Sequence, residues 1–128
     1  MAVPRGELQG VVSVELEFEA TGEQRADGTF VVSVAGELDL YTAPEFERAL
    51  LAADGAGSVV VDLSRCTFID SSALGRLLAA NRRLGLAQAR LSIVAPSAEV
   101  RQPFQLTGLD REFAFHQSLA LALNGRKG

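Results

Sequence analysis

One cysteine, Cys66, one histidine, His116, and four prolines are all that this chain of 128 residues contains of those types. A lone cysteine excludes an internal disulfide, and one cysteine with one histidine falls short of a zinc-type ligand set, so Cys66 is expected as a small buried side chain. No apolar run approaches the roughly 20 residues that span a bilayer, and Met1 to Gly10 lacks a signal peptide's apolar core. No membrane insertion is expected, and the expected location is the cytoplasm. The phosphate-cradling patterns GxGxxG and GxxxxGK[ST] are missing, which leaves a nucleotide-processing enzyme without positive support. A serine hydrolase needs a base and a nucleophile elbow; His116 is the one histidine, far along the chain, and no GxSxG surrounds Ser71. No catalytic residue, metal or cofactor is therefore expected.

What the chain does have is apolar residues, 48% of the total, with charged residues at 22% mixed among them. That composition excludes disorder, and the length suits one domain burying roughly two-thirds of its unfolded surface. The domain is expected over residues 11–124, with flexible segments at 1–10 and 125–128. The net charge of −4 hides an asymmetry: residues 1–57 carry 3 basic and 11 acidic side chains, residues 58–90 carry 5 and 2, and residues 91–128 carry 4 and 3. A basic stretch inside an acidic protein does not fit nucleic acid as a partner, which calls for a basic face interleaved with aromatics. Arg76, Arg82 and Arg83 in that stretch are either solvated helix arginines or a match for an acidic partner surface.

Hydrophobic spacing predicts the elements. Val12, Val14, Leu16 and Phe18 alternate with Ser13, Glu15, Glu17 and Glu19 as in a half-buried strand; Ala20 to Gly28 reads as a turn, and Phe30, Val32 and Val34 resume the alternation to complete a hairpin. The acidic outer face of that first strand opposes edge-to-edge pairing, so a monomer or weak dimer is expected. Thr42-Ala43-Pro44-Glu45 has the form of a capping box before a helix through Phe46, Leu50 and Ala53 that stops near Asp54-Gly55. Val59 to Val61 is a short strand, covered on both faces, that leads through a brief crossing to a helix on Leu74, Leu77, Leu78 and Leu84 with Gly85 as its stop. Leu91, Ile93 and Val94 mark another strand. Ser97 starts a helix in which Pro103 predicts a kink or a late start, Phe113 to Phe115 a last strand, and Ser118 a final helix. The resulting order is that of an α/β domain with a mixed sheet: a leading hairpin, then right-handed strand–helix–strand crossings.

The chemistry concentrates at Asp70-Ser71-Ser72. One of these side chains is expected to cap the helix, leaving the next with its hydroxyl at the positive end of the helix dipole. A phosphate carried there would meet backbone donors rather than carboxylates; the competing reading is a plain helix start. Asp39, Asp62 and Asp70 are also candidates to converge at the ends of neighbouring strands, where open α/β sheets bind ligands.

Gly36-Glu37-Leu38-Asp39 with Thr42-Ala43-Pro44, then Val61-Asp62-Leu63-Ser64, then Phe68-Ile69-Asp70-Ser71-Ser72-Ala73-Leu74-Gly75, and later Thr107-Gly108-Leu109, together resemble the STAS domain of bacterial anti-sigma factor antagonists. The resemblance runs from about Val12 to Leu123. It implies a STAS-like single domain, α/β, with a mixed sheet of four to five strands and about four helices. It also implies a switch in which the unphosphorylated antagonist binds an anti-sigma factor that is a serine kinase, frees the sigma factor, is turned off by phosphorylation and is reset by a PP2C-type phosphatase. The phosphorylated serine falls on Ser71. Asp70 would hold the helix start, and Ser72, Ala73, Gly75, Arg76, Glu37, Asp39 and Thr42 would support the site or meet the partner. Ala73 stands where many relatives have glycine, which stiffens the first turn. Release is expected through local repulsion without a large shape change. The alternative within the same resemblance is a docking subunit of a transporter or lipid-transport ATPase that lacks the phosphoswitch.

Overall fold

The computed structural model describes residues 18–124, so most of the expected strand over Val12 to Phe18, and the expected flexible ends, lie outside the described residues. Strand β1 is Glu19–Gln24, paired antiparallel with β2, Thr29–Leu38. The segment expected as a turn from Ala20 thus remains strand to Gln24, and the turn is confined to 25–28, closed by Arg25 N–H on the Thr29 carbonyl (2.8 Å), Thr29 N–H on Asp27 Oδ1 (3.0 Å) and Gly28 at φ +90°. The polar composition that suggests a turn is that of an edge strand, exposed along most of its length. Gly22 keeps it close to the core, since a Cβ there would fall 2.5 Å from Phe30 Cζ.

Helix α1 (Ala43–Leu51), strand β3 (Ser58–Ile69), helix α2 (Ser71–Leu86), strand β4 (Arg90–Val94), helix α3 (Ala98–Leu106), a 3₁₀ turn (Leu109–Arg111), strand β5 (Ala114–His116) and helix α4 (Leu119–Asn124) follow. The five strands lie in the order β1-β2-β3-β4-β5, parallel except for the leading hairpin, as the element order predicts. The main core joins α1, α2 and α3 to one sheet face through Phe46, Leu50, Leu74, Leu77, Val100 and Phe104 over Val32, Val59, Val61 and Ile93; a smaller cluster seats Ala122 of α4 on Val31, Val60 and Val94 of the other face. Among the described residues no helix is long and apolar enough to cross a membrane.

Strand β3 runs well past the expected Val59 to Val61: the supposed crossing is strand, paired with β2 out to Leu38↔Ile69. Two register shifts interrupt this pairing, one between Ser33 and Ala35 and one between Gly36 and Glu37. Bulges of this kind insert extra residues on one strand, so core-facing positions fall at Leu63, Cys66 and Ile69, three apart, and the alternation that identifies a strand is erased. Because β4 pairs only with Ser58 to Asp62, the upper half of β3 projects beyond its neighbour and carries α2's start with it.

Helix α2 passes the expected stop at Gly85 and ends at Leu86. Ala89 N–H reaches the Leu84 carbonyl (2.8 Å) and Gln88 N–H the Gly85 carbonyl (2.9 Å), a Schellman arrangement in which Gln88, not a glycine, takes the left-handed conformation at φ 63°. Pro103 does not delay α3, which starts at Ala98 with Ser97 Oγ accepting Glu99 N–H (3.1 Å). The ring removes one bond from a helix of only 9 residues whose Val100 and Phe104 are fully buried, and Thr107 Oγ1 donates to the Pro103 carbonyl (2.8 Å) at its end.

Candidate functional site

The carboxyl ends of β2 and β3 stand side by side, with Leu38 opposite Ile69 and Asp70 N–H donating to the Leu38 carbonyl (3.0 Å). The chain turns from β3 into α2 at this point, so Asp70 and Ser71 emerge at the rim of the projecting β2–β3 arm. Asp70, in extended conformation, is the N-cap: its Oδ1 accepts from Ser72 N–H (2.9 Å) and Ala73 N–H (3.3 Å). Ser71 is the first helical residue and is exposed. One expectation is corrected here. Two of the donors at the helix start, the Ser72 and Ala73 N–H groups, are already taken by the Asp70 carboxylate, so a phosphate on Ser71 would find a carboxylate beside it and fewer N–H groups than expected.

The other candidate positions divide. Ser72 is half-buried in the first turn, and Ala73 is fully buried, so its methyl supports the helix from the core and does not face a visitor. Gly75, one turn on from Ser71, is exposed, and a Cβ placed there would meet nothing within 4 Å, which leaves open space next to the serine. Of the three arginines read as either solvated or matched to an acidic partner, Arg76 pairs with Glu47 of α1 and Arg83 Nε with Asp54 Oδ1 (3.0 Å) in the turn after α1, while Arg82 stays exposed.

The loop from Glu37 to Thr42 borders the same rim. Thr42 does not form the expected capping box with Glu45: its hydroxyl donates to the Glu37 carbonyl (2.8 Å) and accepts from Asp39 N–H (2.9 Å), and it makes no side-chain cap bond to α1. Asp39 Oδ1 in turn accepts from Tyr41 N–H (2.9 Å) and Thr42 N–H (3.1 Å). These bonds hold a tight turn whose tip presents Leu40 and Tyr41 at 61% and 88% exposure, and Phe68, opposite Glu37 in the register, is 49% exposed. Sequence reasoning missed these three as a group. The available signal was the apolar pair Leu40-Tyr41 inside a polar turn; nothing local marked Phe68, because β3's bulges decide its direction.

Asp62 does not join Asp39 and Asp70. It lies level with the end of β4, opposite Val94, and its Oδ1 accepts from Ser64 N–H (3.0 Å) and Ser64 Oγ (2.6 Å). Cys66 is buried as expected, its thiol donating to the Phe68 carbonyl (3.2 Å), and burial raises its pKa, so the protonated form is favoured. No group of three or more His, Cys, Asp or Glu side chains among the described residues is placed to hold a metal ion.

The site is thus an exposed serine at a capped helix start, on a rim that also carries exposed apolar side chains. The family model described as "Mlab, STAS domain" matches residues 21–123. The anti-sigma-F factor antagonist RsfB of Mycobacterium tuberculosis is 36% identical over 104 residues, 80% of this chain and 84% of its own length. A crystal structure of an anti-sigma factor antagonist from Mycobacterium paratuberculosis superposes with a TM-score of 0.81 at 36% identity, covering 91% of this chain and all of the other. The anti-sigma factor antagonist SpoIIAA in its unphosphorylated form superposes with a TM-score of 0.74 at 25% identity, covering 86% of this chain and 97% of its own.

Proposed function

Because the chain belongs to the STAS-domain family, we propose that it is an anti-sigma factor antagonist controlled by phosphorylation of Ser71. The observation that carries this reading is the exposed Ser71 hydroxyl at the rim of the β2–β3 arm, next to the exposed Leu40, Tyr41 and Phe68. In the unphosphorylated state this rim docks on an anti-sigma factor that is also a serine kinase, which frees the sigma factor. The apolar side chains supply the buried area; a tyrosine or phenylalanine buries roughly 150–250 Å² when covered, and aromatic anchors of this kind dominate binding energy.

The kinase transfers the γ-phosphoryl group of ATP to Ser71 Oγ; a P–O bond to Oγ replaces the one to ADP, and the hydroxyl proton leaves. A PP2C-type phosphatase reverses the state by hydrolysis, water supplying the oxygen of the released inorganic phosphate. Phosphorylation brings about −1.5 to −2 charges. Asp70 already occupies the helix-start donors and Arg76 is paired with Glu47, so little in the protein neutralises the added charge. It stays directed at the docking face, and the partner is expelled by local repulsion and lost hydration. The module itself performs no chemistry.

Incubation with a kinase-type anti-sigma factor and ATP is expected to place one phosphate on Ser71, located by mass spectrometry and absent from Ser71→Ala; label on another residue, or none, would contradict the reading. Tyr41→Ser is expected to weaken the partner complex by about tenfold or more while leaving the melting temperature within a few degrees, because the side chain is almost wholly in solvent. Isothermal titration of the variant checks this. The alternative, a docking subunit of a transporter or lipid-transport ATPase without a phosphoswitch, would instead bind its partner equally well with Ser71 unmodified or replaced.

A further inference from the structure

Between α3, the 3₁₀ turn and β5 lies a cavity of about 150 Å³, lined among the described residues by Arg101, Gln105, Asp110 and Phe115. Its aromatic wall is fixed from behind, because the half-buried Phe115 ring meets the fully buried Phe104 edge-on at 5.1 Å. Arg101, itself half-buried, is held twice: its Nε donates to the Ala95 carbonyl just past the end of β4 (2.7 Å), and its guanidinium carbon stands 5.5 Å from the centroid of the Phe115 ring. A long side chain ordinarily gives up its rotamer freedom when it takes a ligand, and here folding has already removed part of it. The two Nη groups take no partner among the described residues. Asp110, exposed on the 3₁₀ turn, lines the same space yet forms no ion pair with Arg101 or with any other described cation, and the Gln105 side chain, one turn after Arg101, is likewise without a hydrogen bond. Elsewhere opposite charges on neighbouring elements close on each other, as Arg76 does with Glu47; here a cation and an anion face one cavity and stay apart.

We propose that this cavity binds a small zwitterion of the α-amino-acid class. The ligand carboxylate takes the two free Nη groups of Arg101 as a fork, its ammonium group meets the Asp110 carboxylate, the Gln105 amide bonds to either end, and a small apolar side chain lies on the Phe115 ring. Charge selects this class. A dianion such as phosphate is repelled by Asp110 and a metal cation by Arg101, whereas a molecule carrying both signs satisfies both walls. Size selects it as well, since a space of this volume takes one molecule about as large as benzene, too little for a nucleotide. None of the four residues belongs to the β2–β3 rim, so the proposal does not rest on the switch at Ser71.

The full chain titrated with L-alanine at neutral pH and followed by ¹H–¹⁵N NMR tests the site, with N-acetylalanine, which lacks the ammonium group, and alaninamide, which lacks the carboxylate, at matched ionic strength. Saturable shifts at the amides around Ala95, Arg101, Asp110 and Phe115 are expected with alanine, and binding about tenfold or more weaker with either blocked compound. Asp110→Asn keeps the fold, because the side chain is exposed and has no partner to lose. It is expected to weaken alanine binding about tenfold while leaving N-acetylalanine binding unchanged, since variant and blocked ligand remove the same contact. Absence of saturation with alanine, a blocked compound that binds as tightly as alanine, or unchanged alanine affinity in Asp110→Asn would overturn the proposal.

Discussion

Ser71→Asp lowers the affinity for the anti-sigma partner by roughly a hundredfold, while Ser71→Ala binds at least as well as the unmodified protein and no longer responds to kinase and ATP. The estimate follows from one like-charge contact: at ~5 Å and an effective dielectric near 20, two unit charges repel by about 3 kcal/mol, and every 1.4 kcal/mol is about tenfold. The sign has a local reason. A negative group at position 71 competes with Asp70 Oδ1 for the Ser72 and Ala73 N–H groups, which that carboxylate already holds. On docking it would lose water between apolar neighbours without gaining donors. Titration calorimetry or surface plasmon resonance on the three forms is the measurement, accompanied by backbone chemical shifts. If Ser71→Asp bound like the unmodified protein, the switch would be misassigned; if its shifts spread through the whole sheet, release would proceed by shape change and not by local charge.

Phe104→Ala removes about 3–5 kcal/mol of stability, a large part of the 5–15 kcal/mol that domains typically possess. The ring is 0% exposed and meets Phe113 edge-on at 5.9 Å and 88°, and Phe115 at 5.1 Å and 83°. It is also the anchor that keeps α3 helical across Pro103, so truncation opens a cavity and loosens a helix already short of one bond. Phe104→Leu, which keeps most of the volume, is expected to cost no more than about half as much. Urea unfolding monitored by circular dichroism distinguishes the two variants, and a loss below about 1 kcal/mol for alanine would show that the aromatic cluster is not the main support of this end of the sheet.

Much of the fold was legible in the sequence because its signals are local. Val59 to Val61 announced a strand covered on both faces, Leu74, Leu77 and Leu84 a helix, and Asp70 a cap. The strand order follows from that succession, since parallel strands joined by helices are laid down with one hand. The errors have a common source. The upper half of β3 was invisible because two bulges replace alternation with a spacing of three; Thr42 was assigned to α1 because a capping box is a local motif, whereas its hydroxyl is claimed by the preceding turn. Gly85 marks a helix stop in the sequence because glycine tolerates positive φ best, whereas the left-handed residue is Gln88, where the final hydrogen bonds require it.

By itself the sequence determined the succession of elements, much of the core and the α/β class, since each depends on residue spacing within a few turns or strands; the choice of Ser71 rests on the family resemblance and not on spacing. Only the tertiary structure decided how Ser71 is surrounded: that Asp70 holds the Ser72 and Ala73 N–H groups, that Arg76 is paired with Glu47 of α1 and Arg83 with Asp54 in the turn after it, and that Leu40, Tyr41 and Phe68 are exposed along one rim. The physical reason is that hydrogen-bond partners and solvent exposure are properties of groups brought together from distant parts of the chain, and strand register, which local periodicity does not encode, fixes which groups those are.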